Sequence, residues 1–124
     1  MQKIKLLIVE DEAIVALFLK VQLEKRGYFV CGLVTSGEQA IKLTREEEPD
    51  IIIMDVHLAG KIDGLQTAAA IRLFSKANII VVTGYEDEEL RKKVEELKST
   101  AFIIKPVSIN DILEIIEHKF KYIV

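Results

Sequence analysis

The sequence predicts an α/β fold of five strand–helix units, a doubly wound sandwich with one parallel sheet between two layers of helices. Three observations predict it. Short apolar runs alternate five times with longer amphipathic ones, and the connections between them are short. Three of the runs, Lys5–Val9, Ile51–Asp55 and Asn78–Thr83, are nearly unbroken and rich in β-branched residues, the pattern of strands buried on both faces. The other two, residues 28–34 and 101–105, are less uniform and suit the edges of a sheet. Strand order 2-1-3-4-5 places the three most apolar strands at the centre.

The first strand ends in Glu10-Asp11-Glu12, and a helix is expected over residues 13–26, stopped by Gly27. After the second strand, Ser36 and Gln39 stand in capping-box spacing at the start of a helix running to about Glu47. Pro49-Asp50 mark the start of the third strand. A glycine-bearing loop, residues 58–64, leads to a helix over 65–75. Residues 86–97 read as a charged helix with one narrow apolar stripe, Leu90, Val94 and Leu97, its acidic start favoured by the helix dipole. Pro106 follows the fifth strand, and a last helix over 108–122 carries Ile112, Ile115, Ile116 and Phe120 on one side.

The length of 124 residues predicts one domain, residues 1–124, large enough for a core without covalent staples. A net charge of −3 excludes a general attraction to nucleic acid. The single cysteine, Cys31, excludes an internal disulfide and, in an apolar strand, reads as a buried core thiol. The N-terminus lacks the pattern of a signal peptide, and no apolar run approaches bilayer length, so no membrane association and a cytoplasmic location are expected. No effector segment follows Val124, which points to a stand-alone domain or one excised from a longer chain.

With that strand order, Glu10-Asp11 and Asp55 end adjacent strands and converge on one crevice, where open parallel sheets place their ligands. Thr83 and Lys105 end strands four and five on the same rim. Asp55 alone could be a nucleophile, a metal ligand or the cap of a turn. Three carboxylates together repel one another unless a cation lies between them, and an oxygen-only set with room for water suits Mg²⁺. Lys105 adds a positive charge, and the Thr83 hydroxyl and nearby backbone N–H groups add donors. These are the parts needed to move a phosphoryl group onto an aspartate.

In order and spacing, Glu10-Asp11, Asp55, Thr83-Gly84 and Lys105-Pro106 resemble the receiver domains of two-component response regulators, which have the flavodoxin-like fold. The resemblance covers essentially the whole chain. It implies that Asp55 is the phosphoacceptor, that Glu10, Asp11, Asp55 and the His57 backbone carbonyl hold Mg²⁺, and that Lys105 pairs with the phosphoryl oxygen. It also implies that Thr83 is the switch hydroxyl, Phe102 the aromatic that turns inward behind it, and the Lys105–Pro106 bond cis. The implied partner is a histidine kinase or a histidine phosphotransfer protein, meeting the first helix near Ile14, Val15 and Phe18. Glu10 stands where aspartate is more frequent, Ala59 stands in place of a usual proline, and the loop to Asp63-Gly64 is one residue longer than usual. The resemblance implies that His57 and Tyr85, two residues after Asp55 and Thr83, flank the approach of a hydrolytic water. Two crowding rings there predict slow loss of the phosphoryl group, and the competing reading is a neutral His57 imidazole acting as base.

The first helix itself leaves two readings open. At about 100° per residue, Ile14, Leu17, Phe18 and Val21 form one stripe, with Val15, Leu19 and Leu23 outside its centre. Either this helix is deeply embedded or part of it is a docking surface. His57 and His118 read as surface side chains. Two other functions share the topology. A flavodoxin-like electron carrier would place a flavin phosphate against Glu10-Asp11-Glu12, which repel it. An Mg²⁺-dependent aspartyl phosphatase would need a second acid two residues after Asp55, where His57 stands. A degenerate receiver that binds partners without phosphorylation is at odds with the intact Asp55, Thr83 and Lys105.

Overall fold

The computed structural model describes residues 3–84 and 87–122. Its strands are β1 (Lys5–Val9), β2 (Phe29–Val34), β3 (Ile51–Asp55), β4 (Asn78–Thr83) and β5 (Thr100–Ile104). They form one parallel sheet in the order β2-β1-β3-β4-β5. The helices are α1 (Ala13–Lys25), α2 (Gly37–Glu47), α3 (Gly64–Arg72), α4 (Glu88–Glu96) and α5 (Ile109–Glu114). Every residue of β3 is buried, as expected for the middle strand of a sheet covered on both faces. Each fully buried isoleucine there contributes about 1.5–3 kcal/mol of transfer free energy.

Two apolar cores result, one on each side of the sheet. Leu6, Ile8, Ile51, Ile53, Ile80 and Val82 face α1 and α5. Leu7, Val9, Ile52, Met54, Ile79 and Val81 face α2, α3 and α4. Alternate residues of one strand thus serve opposite cores, and the polar tips of β1, β3 and β4 are left together at the carboxyl edge.

Several boundaries differ from the sequence expectation. The third helix starts at Gly64 and ends at Arg72, because Asp63 and Gln66 close a reciprocal capping box and the Arg72 guanidinium then donates to the carbonyls of Ser75 and Ala77 at 2.8 and 2.7 Å. The fourth helix starts at Glu88, capped by Asp87, whose carboxylate accepts from the N–H groups of Glu89 and Leu90. Ser36 caps α2 as expected, but Gln39 turns its amide oxygen to Thr35, accepting from its N–H at 3.0 Å. The last helix is not uniform: after α5 the chain forms a π-helical turn, Ile115–Lys119, in which the Phe120 N–H donates to the Ile115 carbonyl. Cys31 is half-buried rather than buried. It is the extra residue at a register shift, where Leu6 pairs with Val30 and Leu7 already pairs with Gly32.

The first helix is the largest departure. Its buried face is Ala16, Leu19 and Leu23. The stripe named from periodicity points to solvent instead: Ile14 is 85% exposed, Leu17 and Phe18 55%, and Val21 42%. Ala16 explains the choice, since a methyl side chain lets the helix axis approach the sheet closely. None of the helices among the described residues is long and apolar enough to cross a membrane.

Candidate functional site

Asp55 closes β3, and its neighbours in register determine what it meets. β1 lies on one side, with Val9 opposite Met54, so Glu10 follows at the level of Asp55. β4 lies on the other, with Val82 opposite Asp55. Glu10, Asp11 and Asp55 each bring one carboxylate oxygen into a group whose members lie within 4.8 Å of one another. Glu10 and Asp55 are buried and Asp11 is exposed, so the group is sheltered on the protein side and open on the other.

Lys105, just past the end of β5, reaches across to Asp55. Its Nζ donates to Asp55 Oδ2 at 2.7 Å, and the His57 N–H donates to Asp55 Oδ1 at 2.9 Å. The Lys105 N–H donates to the Thr83 carbonyl at 2.7 Å, which joins the tips of β4 and β5. The Lys105–Pro106 peptide bond is cis. Burial pushes the Asp55 carboxyl up, but hydrogen bonds with Glu10, Lys105 and the His57 N–H outweigh it and hold Asp55 below the usual carboxylate range. Glu10 takes the opposite direction. Burial, then its hydrogen bond to Asp55 and the repulsion of that charge, raise it to about 8. Burial alone would lower Lys105, and the bond to Asp55 more than reverses this and raises it. Without a cation the carboxylates cannot all be ionised beside one lysine, and Glu10 keeps its proton below about pH 8. Hard oxygen donors, crowded charge and one solvent-open side are the fit expected for Mg²⁺.

Thr83 ends β4 at the same edge of the sheet. Thr83 is fully buried, and its Oγ1 has no hydrogen-bond partner among the described residues. A buried hydroxyl left without a partner is costly, and this one lies at the same edge of the sheet as the carboxylates. Phe102 is half-buried on β5 opposite Val81, on the α4 side of the sheet. The His57 and His118 side chains are exposed. Tyr85, expected to flank the water approach, lies outside the described residues, as does Glu86.

Three features of the site were not visible in the sequence. The loop after Asp55 is pinned to α2: Ala59 bridges Ser36, and the Glu38 carboxylate accepts from the Lys61 N–H at 3.0 Å, with Gly60 at φ +95° between them. Gly64 lets α3 begin directly against the site, because a Cβ there would run into the Asp55 carbonyl oxygen. A groove of about 750 Å³ joins the carboxylates to the exposed part of α1, with Ile14, Val15 and Phe18 on one wall and Pro106 and Val107 on the other. The spacing of Lys105-Pro106-Val107 carried no sign of that second wall.

Comparisons with known proteins agree with this geometry. A family model described as the response regulator receiver domain matches residues 6–117. The transcriptional regulatory protein PdtaR of Mycobacterium tuberculosis is 33% identical over 113 residues, which make up 91% of this chain and 55% of that protein. The chain spans about half the length of the curated relatives it matches. Among solved structures, the signal receiver domain of a modulated diguanylate cyclase from Desulfovibrio desulfuricans is similar, with a TM-score of 0.84 at 33% identity over 94% of this chain and 92% of that one. A response regulator protein from Burkholderia pseudomallei, solved with a phosphorylated aspartic acid, a calcium ion and citrate, has a TM-score of 0.82 at 28% identity over 91% of this chain and 65% of that one. With five parallel strands in the order 2-1-3-4-5 and acidic residues gathered at their carboxyl edge, the chain belongs to the response regulator receiver domain family, the phosphoacceptor switches of two-component signalling.

Proposed function

We propose that Asp55 takes the phosphoryl group from a phosphohistidine of a histidine kinase or histidine phosphotransfer protein, and that this domain catalyses both that transfer and the later hydrolysis. One observation carries the reading: a buried carboxylate at the floor of the crevice has Lys105 at 2.7 Å on one oxygen and the Glu10 and Asp11 carboxylates beside it. A carboxylate oxygen of Asp55 attacks phosphorus. The P–N bond breaks, and its electrons go to the donor imidazole, which takes up a proton. Lys105 neutralises a phosphoryl oxygen of the resulting acyl phosphate. Glu10, Asp11, Asp55 and the His57 carbonyl would hold Mg²⁺, which supplies charge neutralisation of the transferring phosphoryl oxygens when bound. Thr83 Oγ1 then donates to the phosphoryl group, and Phe102 moves into the space the Thr83 side chain leaves, which biases two pre-existing states.

The metal assignment is tested with Asp11→Ala. Mg²⁺ affinity is expected to fall by about tenfold or more, since one of three charged ligands is lost, and phosphoryl uptake from acetyl phosphate at fixed Mg²⁺ should fall with it. An unchanged Mg²⁺ titration in that variant sinks the assignment.

The groove wall on α1 gives the partner its seat. Ile14 and Phe18 are exposed, Val15 is half-buried, and the groove they line leads to Asp55. A helix bearing the phosphohistidine laid along this wall brings its phosphorus to the carboxylate. Phe18→Glu is expected to slow phosphorylation by the protein donor about ten- to thirtyfold, the cost of losing an aromatic anchor, and to leave phosphorylation by acetyl phosphate unchanged. Equal loss with both donors would place Phe18 in the chemistry or the fold and not in docking.

A further inference from the structure

We propose that Arg91 is a clamp on the switch aromatic, a positioning residue that holds Phe102 in its resting place and sets how much phosphorylation the domain needs before it responds. The inference rests on the assignment of Thr83 and Phe102 as the switch pair. Arg91 lies on α4 with its guanidinium carbon 4.9 Å from the centroid of the Phe102 ring, within the range of a cation–π contact. Leu90 and Val94 on either side of it pack into the core below, so the helix that carries the cation is anchored. The ring is half-buried, with that core against it and a surface groove of about 460 Å³ beside it.

Thr83 and Phe102 share a face of the sheet. Val81 pairs with Phe102 and Thr83 with Ile104, and Val81 and Thr83 are two residues apart on one strand. In the proposed switch Phe102 turns toward the space beside Thr83, and a ring displaced from under the Arg91 guanidinium gives up the contact it makes here. A cation–π contact at a half-exposed site lowers the resting state by enough to hold back the active population about two- to fivefold. Nothing in the pattern Leu90-Arg91-Lys92-Lys93 separates Arg91 from the lysines that follow. Only the crossing of α4 over β5 puts this cation on that ring.

The test uses the whole chain with Mg²⁺ and fluoroberyllate as the phosphoryl mimic. The ring signal of Phe102, in protein carrying ¹³C-labelled phenylalanine, is assigned by its loss in Phe102→Leu. Arg91→Met, which keeps the stem and removes the charge, is expected to lower the fluoroberyllate midpoint about two- to fivefold. In a Phe102→Leu background, followed through the Thr83 methyl signal, Arg91→Met is expected to change nothing further. An unchanged or raised midpoint in Arg91→Met, with the Phe102 signal still shifting in the parent, overturns the clamp and leaves the switch pair standing. An equal drop in the Phe102→Leu background also overturns it, since Arg91 would then act through another contact. A Phe102 signal in the parent that fluoroberyllate does not move overturns the switch assignment, and the clamp with it.

Discussion

Asp55→Asn is expected to reduce phosphoryl uptake at least about 10³-fold, from acetyl phosphate and from a phosphohistidine donor alike. The substitution keeps the shape of the side chain and removes the nucleophilic charge. An amide oxygen at this position can still accept from the His57 N–H, so the strand tip keeps one of its two contacts. The Lys105 side chain is 33% exposed and can turn its ammonium to water, so losing the ion pair does not strand a buried charge. The variant should therefore fold, and its circular dichroism and Tm should stay close to those of the parent. Incorporation is read by intact mass and by mobility on a phosphate-binding gel. Uptake at the parent's rate in Asp55→Asn, with the modification on Glu10 or Asp11, would show that the nucleophile was misassigned.

Metal-free protein is expected to lose stability as the pH rises from about 4.5 to about 8, and Glu10 is the cause. Its folded pKa lies above its unfolded value, so the fold binds its proton more tightly than the unfolded chain does. The stability this supplies is complete below the unfolded value of 4.5 and is lost as pH rises through about 8. Asp55 works in the other direction. Held below its ordinary 3.8, it contributes stability above that value and loses it as pH falls further. The two therefore act in separate windows, and between pH 5 and 8 Glu10 sets the slope. With a chelator present, the parent should melt lower at pH 8 than at pH 5, by on the order of 10 °C in Tm. Glu10→Gln should flatten that difference, and saturating Mg²⁺ should raise Tm more at pH 8 than at pH 5. A pH slope as steep in Glu10→Gln as in the parent would remove Glu10 as its origin.

The strands and their order were legible because they need only local information. Ile51–Asp55 is apolar along its whole length, and a strand of that kind has no face to offer solvent, so it must lie inside a sheet covered on both sides. Once Lys5–Val9 and Asn78–Thr83 are recognised as two more such strands in a parallel sheet, Glu10 and Asp11 after the first of them gather with Asp55 at the carboxyl edge. The resemblance to receiver domains then implied roles for Asp55, Lys105 and the acidic pair, and the structure brings those side chains together. The alternation of strand and helix, the strand order and the meeting of the carboxylates are thus properties of the chain's own pattern.

The tertiary structure decided what the pattern leaves degenerate. The first helix is apolar on more of its circumference than a sheet can cover, so periodicity could not choose between Ile14, Leu17, Phe18 and Val21 and the set Ala16, Leu19 and Leu23. Packing chose the second set, because the smallest side chain belongs against the sheet, and so left the first as an open wall of the groove to Asp55. The bulge at Cys31, the π-helical turn at Ile115–Lys119 and the pinning of the post-Asp55 loop by Glu38 each depend on partners far along the chain or on register between strands. The same holds for Arg91 over Phe102, two residues of ordinary surface and edge-strand type. A local pattern records which residues avoid water, but which of several equivalent faces meets which neighbour is settled only when the helices are laid across the sheet.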